Sequence, residues 1–164
     1  MKKILFSLLL LLCSLGAMAQ DKNVDVVNGR YSISGVQSVD SVSSMELFNR
    51  AVAWVSSTYK YPDKVISSKD KDAGVLVLNC IANSSSIRHG FELRLSFRFK
   101  EGRYKWEIND IYFPYNDVLG MSKRPIEKAP RYSKFNDQAK ETLLSDLNEY
   151  IASFVTGLKT SDDW

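Results

Sequence analysis

The clearest hydrophobic pattern in the chain is a strict alternation of apolar and polar residues from Phe91 to Lys100. This period of two predicts a β-strand with one buried face. Glu101-Gly102 predicts a tight turn, and residues 103–113 predict the returning strand of a hairpin. The alternation shifts at Asn109-Asp110, which indicates either a β-bulge or the strand turning off the sheet. The cross-strand pairs expected from a two-residue turn are Phe99 with Tyr104, Phe97 with Trp106 and Leu95 with Ile108.

Two other segments have the 3.6-residue period of amphipathic helices. Ser43 and Glu46 form a capping box that begins the first helix, and Tyr61-Pro62 ends it. Asn136 caps the second helix. The stripe that we expect this second helix to bury consists of Ala139, Leu143, Leu147, Tyr150, Ile151, Phe154 and Leu158.

Shorter patterns predict the remaining elements. The first core strand is expected at residues 31–36, another strand begins at Val65-Ile66, and residues 75–82 form a third. The segment 114–134 contains three prolines and has no period, so we expect a long loop. The order β-α-β-β-β-β-α predicts an α+β fold, a curved and mostly antiparallel sheet with two helices packed on one face.

Several of these segments together resemble one known family. They are the helix Met45–Trp54, the pair Val65-Ile66, the turn Asp72-Ala73-Gly74 and the hairpin Phe97–Trp106. The resemblance is to the family of unknown function with a TATA-binding-protein-like (TBP-like) fold that is common in exported proteins of Bacteroidetes, and it covers about Tyr31 to Phe113. It implies a curved antiparallel sheet with two helices on one face. It implies no chemistry.

The N-terminus has the three parts of a secretory signal peptide. Met1-Lys2-Lys3 is basic, a short apolar run follows, and Ala17-Met18-Ala19 fits a cleavage site. We therefore expect a cleaved signal at residues 1–19 and export to the periplasm or the exterior. Leu12 precedes Cys13, which argues against lipidation at that cysteine. Beyond the signal we expect a flexible leader or short hairpin arm at 20–30, one domain at 31–159 and a frayed tail at 160–164.

Removal of the signal changes the charge and cysteine counts. Lys2 and Lys3 are two of the 22 basic residues, so 20 remain against 19 acidic residues. A balance this even excludes general polyanion binding, and we expect no nucleic-acid partner. Cys13 also leaves with the signal, so Cys80 has no cysteine with which to form an intramolecular disulfide.

The strand at 75–82 is apolar on both sides, so we expect both sides to be covered. We place Leu76, Leu78 and Cys80 at the centre of the face without helices, with Arg94, Arg98 and Lys105 at its rim. Its cover is the leader, the long loop, a second copy or a ligand. The resulting function is a non-enzymatic binding or interaction module of the cell envelope, whose partner is an envelope protein or a second copy. The alternative is a carrier of a small apolar, lipid-like ligand.

Two weaker patterns also concern binding. The loop residues Lys123, Arg124, Lys128 and Arg131 are candidates for contact with anions, including peripheral contact with lipid headgroups, although a solvated proline-rich loop is the better explanation of them. Asp40-Ser41-Val42 is similar to the three-residue O-glycosylation signal of exported Bacteroidetes proteins, which makes Ser41 a candidate glycan site.

The sequence contains no arrangement typical of an enzyme. It has one histidine and lacks nucleophile-elbow, phosphate-loop and paired-cysteine motifs. We therefore predict no enzymatic activity, no cofactor and no metal site.

Overall fold

The computed structural model describes residues 22–84, 87–117 and 120–160. The predicted signal peptide lies outside these residues, as does most of the predicted tail. The elements in chain order are β1 (Lys22–Val27), β2 (Arg30–Ser38), α1 (Ser44–Thr58), α2 (Pro62–Val65), β3 (Ile66–Asp70), β4 (Val75–Ser84), β5 (Ile87–Lys100), β6 (Arg103–Asp117), β7 (Gly120–Pro125), a 3-10 turn (Ile126–Lys128) and α3 (Asp137–Lys159).

All seven strands form one antiparallel sheet. The order across it is β1-β2-β6-β5-β4-β3, and β7 also pairs with β6. Strand β6 is long enough to take two partners along one edge, first β2 and then β7. The sheet therefore forks where β2 gives way to β7. This architecture confirms the predicted α+β fold.

The central hairpin has the predicted register. Phe99 lies opposite Tyr104, Phe97 opposite Trp106 and Leu95 opposite Ile108. The ladder shifts by one residue between the pairs Arg94–Asn109 and Glu92–Tyr112, and Asp110 takes a left-handed φ of 49°. This is the bulge that the sequence indicated, and it turns Ile111 back into the core, where it is fully buried.

Helices α1 and α3 begin at their predicted caps and share one face of the sheet. The Ser43 side chain accepts a hydrogen bond from the Glu46 backbone N–H, and the Asn136 side chain accepts one from Ala139. Trp54 of α1 joins the helices to each other and to the sheet, because its indole N–H donates to Ser153 at 3.1 Å and its ring packs edge-on against Phe97 and Phe154. Every residue of the stripe predicted for α3 is buried.

Two predictions about irregular segments need adjustment. Of the two forms considered for residues 20–30, the structure has the hairpin arm, in which β1 returns onto β2 through Asn28-Gly29. The prediction of a long loop from Pro114 to Lys134 is wrong, because its first part completes β6 and residues 120–125 form β7. This hairpin needs backbone pairing but no alternating pattern. Pro125 is tolerated because it is the last residue of β7, which is an edge strand.

Candidate functional site

The structure corrects the predicted orientation of β4. Leu76 and Leu78 are fully buried and Cys80 is 7% exposed, all within the core cluster that includes the helix residues. Their cross-strand partners on β5 are Phe97, Leu95 and Leu93, which face the helices. These three β4 residues are therefore core and do not form the centre of a free face. The opposite side of β4 carries Val75, Val77, Asn79 and Ile81.

Cys80 is held in a buried polar contact between the sheet and α3. Its Sγ lies 3.0 Å from the Tyr150 hydroxyl, which lies 2.9 Å from the Tyr59 hydroxyl at the end of α1. Burial raises the pKa of the Cys80 thiol and raises that of the Tyr150 phenol well above its usual value. The thiol therefore stays protonated and weakly nucleophilic, as expected for a structural cysteine.

The face of the sheet opposite α1 and α3, here called the open face, is the candidate functional surface. Arg94, Arg98 and Lys105 lie exposed on it, as predicted from the alternation. Two apolar side chains are also unusually accessible there, since Val36 is 51% and Ile81 is 53% exposed. Between these charged and apolar groups the face is lined mainly by small polar residues, namely Ser32, Ser34, Ser38, Ser68 and Ser96.

One end of the open face concentrates positive charge around the β5–β6 turn. Arg98 lies directly opposite Lys105, and Lys100 directly opposite Arg103. All four side chains are exposed, and we call them the hairpin cluster. Together with Val36 and Tyr104 they line a cavity of about 280 Å³. The alternation of the hairpin also predicts Lys100 on this face, but Arg103 was missed, although the two-residue turn that predicts the register places it opposite Lys100.

The other end of the open face is built around the β6 bulge. A groove of about 490 Å³ crosses it, with Ile81, Arg94, Asp110 and Tyr112 in its lining. At the edge of the groove, Arg30 lies with its guanidinium carbon 5.1 Å from the Tyr112 ring centroid.

A buried carboxylate closes the fork of the sheet beside this groove. Glu127 Oε1 accepts a hydrogen bond from the Tyr31 backbone N–H at 2.9 Å and lies 3.4 Å from Arg30 Nε. Glu127 thereby supplies an acceptor to β2 just beyond its ladder with β6, which begins at Ile33. The pKa of the Arg30 guanidinium is raised, first by its contact with Tyr112 and then by the nearby Glu127 carboxylate.

The four basic residues of the predicted loop lie in different surroundings. Lys123 of β7 forms a 3.1 Å ion pair with Glu92 of β5. Arg131 lies 3.2 Å from Asp146 of α3, whose other oxygen accepts a hydrogen bond from Tyr132. Arg124 and Lys128 are exposed, the first on β7 and the second in the 3-10 turn. The structure therefore does not gather these four residues into one anion-binding cluster.

Ser41 lies on the surface before α1. Its side chain is exposed, and its φ of 62° places it in the left-handed region. This position is accessible, and the glycan itself remains a prediction.

Within residues 22–84, 87–117 and 120–160, no group of three or more His, Cys, Asp or Glu side chains is arranged to hold a metal ion. In the same ranges, no helix has the length and apolar character needed to cross a membrane.

Two crystal structures and one family model are similar to this chain. The chain shares 16% identity and a TM-score of 0.62 with the crystal structure of a TBP-like protein from Parabacteroides distasonis, covering 84% of this chain and 98% of that one. It shares 14% identity and a TM-score of 0.58 with a DUF4468 family protein from Bacteroides ovatus, covering 86% and 93%. No curated protein matches the chain. Residues 34–114 match the model of the domain of unknown function DUF4468 with TBP-like fold, which confirms the family resemblance seen in the sequence.

Proposed function

We propose that this domain is a non-enzymatic binding module of the bacterial cell envelope that contacts a partner protein through its open face. The observation that carries the proposal is the asymmetry of the sheet. One face is packed under α1 and α3, whereas the other presents the exposed side chains of Val36, Ile81 and Arg94. Val36 and Ile81 lie singly at different ends of this face, so the breadth of accessible sheet, and not an apolar patch, supports the proposal.

Export from the cytoplasm is part of this proposal. It is supported by the three-part signal at residues 1–19. The balanced charge of the remaining chain favours a protein partner over nucleic acid.

A carrier of a small apolar, lipid-like ligand is the alternative to this module. That alternative placed a ligand between the sheet and a separate cover, because β4 is apolar on both sides. Leu76 and Leu78 are instead fully buried in the core that the helices share. This burial removes Leu76 and Leu78 from a ligand site and equally from the centre of a binding face, so the proposed module uses the exposed residues of the open face.

A photo-cross-linking experiment tests the open face directly. A benzoylphenylalanine replaces Arg94 on the open face, and in a matched control it replaces Ala152, which is exposed on α3. Both variants are produced in the native host, irradiated and examined by mass spectrometry. We expect a discrete adduct from position 94 and none from position 152. An adduct of twice the protomer mass identifies a second copy as the partner. No adduct at 94, or the same adduct at both positions, overturns the proposal.

A further inference from the structure

The hairpin cluster contains an unfavourable arrangement that the fold itself does not require. Arg98 faces Lys105, and Lys100 faces Arg103, in two consecutive cross-strand pairs. Like charges directly opposite each other destabilise a sheet. These side chains lie on the exposed side of the hairpin, where packing does not select their identity. An arrangement that lowers the stability of the sheet and adds no packing is expected where the residues serve binding.

No acidic side chain in the described part of the chain neutralises this cluster. The described ion pairs use Arg30, Arg50, Lys123 and Arg131, and none uses a member of the cluster. An alternating face suggests a diagonal pair between Arg98 and Glu107, but no such ion pair forms among the described residues.

Three acidic residues in or beside this part of the sheet have other hydrogen-bond partners. Glu107 accepts a hydrogen bond from the Ser32 hydroxyl at 3.2 Å. Glu101, in the turn, accepts one from the Ser44 backbone N–H at 3.0 Å. Asp70, at the far side of the same sheet row, accepts one from the Ala73 backbone N–H at 2.8 Å. The positive charge of the cluster is therefore available to a partner.

The spacing of the four cations matches an extended peptide. Alternate residues of a strand lie about 7 Å apart, and directly paired residues on adjacent strands lie about 5 Å apart. The Cα positions of the four cluster residues therefore form a rectangular array with these two spacings. Side chains on one face of an extended peptide also repeat at about 7 Å. The exposed Val36 lies beside Lys105 in the same row and offers an apolar contact at the rim.

We propose that the hairpin cluster binds an acidic segment of the partner protein in an extended conformation, with its carboxylates above Arg98, Lys100, Arg103 and Lys105. This proposal rests on the proposed function and names the chemistry of the partner. Charge-assisted hydrogen bonds from guanidinium and ammonium groups to carboxylates supply the affinity. Because the array is exposed, binding weakens as the salt concentration rises.

The test measures binding of a fluorescent ten-residue peptide of alternating Glu and Val by anisotropy at low salt, against a peptide with Gln in place of Glu. The first variant is Arg98→Ser with Lys105→Ser. The matched control is Lys128→Ser with Lys134→Ser, which removes the same charge from two exposed residues away from the sheet. We expect the Glu peptide to bind at least ten-fold more tightly than the Gln peptide. The cluster variant should lose at least ten-fold in affinity and the control less than two-fold.

Several outcomes overturn the proposal. They are equal binding of the two peptides, no binding of the Glu peptide at 1 mM, and a greater loss in the control than in the cluster variant. Cluster-dependent binding of single-stranded DNA or of phosphatidylglycerol vesicles that is tighter than binding of the Glu peptide also overturns it, and assigns the site to phosphate. In each case the adduct from position 94 remains interpretable, so the proposed function is judged separately.

Discussion

The two faces of this sheet are formed by the same strands, but different physical constraints determine which residues they carry. On the helix-covered face, Leu78, Leu95 and Phe97 are fully buried, so each side chain is constrained by its neighbours. On the open face, the residues that alternate with them include Arg98 and Ser96, which water solvates. Packing therefore explains the composition of the first face and leaves that of the second unexplained. Unpaired charge on the second face is informative because stability does not require it.

The largest expected effect comes from a comparison of substitutions on the two opposite sides of β4. We expect Leu78→Ala to lower the free energy of unfolding by about 3 kcal/mol, since it opens a cavity in the core. Ile81→Ala removes a side chain from the opposite, exposed side and should cost less than about 1 kcal/mol. Urea unfolding followed by tryptophan fluorescence measures both. Equal losses would mean that the two sides of β4 are equally buried, which contradicts the orientation of the strand.

A second comparison concerns the close contact between β2 and the indole of Trp106. A Cβ at Gly35 would lie 2.6 Å from Trp106 Cζ2, so Gly35→Ala forces a large, fully buried ring to move. We expect a loss of about 2 kcal/mol in the free energy of unfolding. The neighbouring Ser34→Ala, on the open face, is the control and should change it by less than about 0.5 kcal/mol. Thermal unfolding by circular dichroism decides the point, and matching midpoints for both variants would contradict the contact.

The third prediction uses the polar contact on the covered face. Burial raises the pKa values of Cys80, Tyr150 and Tyr59 above their ordinary values of 9.0 for the thiol and 10.0 for the phenols. The unfolded chain therefore releases protons that the folded chain keeps, and stability falls as pH rises above about 9, by at most about 1.4 kcal/mol per pH unit for each group. Urea midpoints between pH 7 and pH 11 measure this.

A variant without the thiol sharpens that measurement. In Cys80→Ala only the phenols still titrate, so the decline should begin nearer pH 10 than pH 9. A urea midpoint that stays constant up to pH 11 in the unmodified protein would show that these groups ionise as easily in the folded chain as in the unfolded one.

The smallest expected effect has the opposite sign. Lys105→Glu replaces a like-charged pair with an opposite-charged pair to Arg98, so we expect a gain in stability of about 0.5 kcal/mol at low salt, reduced at high salt. The same change should abolish binding of the Glu peptide. Lys134→Glu, away from the sheet, is the control and should alter neither quantity. A loss of stability in Lys105→Glu would mean that the cluster contributes to the fold.

The sequence predicted the elements with strong periodicity and failed where the pattern was ambiguous. The strand from Phe91 to Lys100 has one apolar and one polar side, so its orientation and pairing followed directly. Strand β4 is apolar on both sides, and its orientation depends on its register with β5, which its own residues do not encode. The β6–β7 hairpin was missed because its stability comes from backbone pairing and from contacts distant in sequence.

The residues of the candidate site also differ in whether a local sequence pattern predicts their position. Arg94, Arg98 and Lys105 were placed correctly because they alternate with core residues. The buried ion pair of Glu127 with Arg30 joins residues nearly a hundred positions apart, and no local pattern indicates it. Equally, the basic residues from Lys123 to Arg131 look like a cluster in sequence, whereas the fold pairs Lys123 with Glu92 and Arg131 with Asp146.

The fork at β6 has a consequence for aggregation. By adding β7 beside β2, it gives the described sheet a third edge strand in addition to β1 and β3. Exposed edges pair readily with strands of other molecules, and proteins protect them with charge, short length or proline. Here β3 has only five residues and includes Lys69, β7 carries Lys123 and ends at Pro125, and β1 carries Lys22 and Asp25. A sheet protected at all three edges can expose a broad face to a partner without polymerising through its strands.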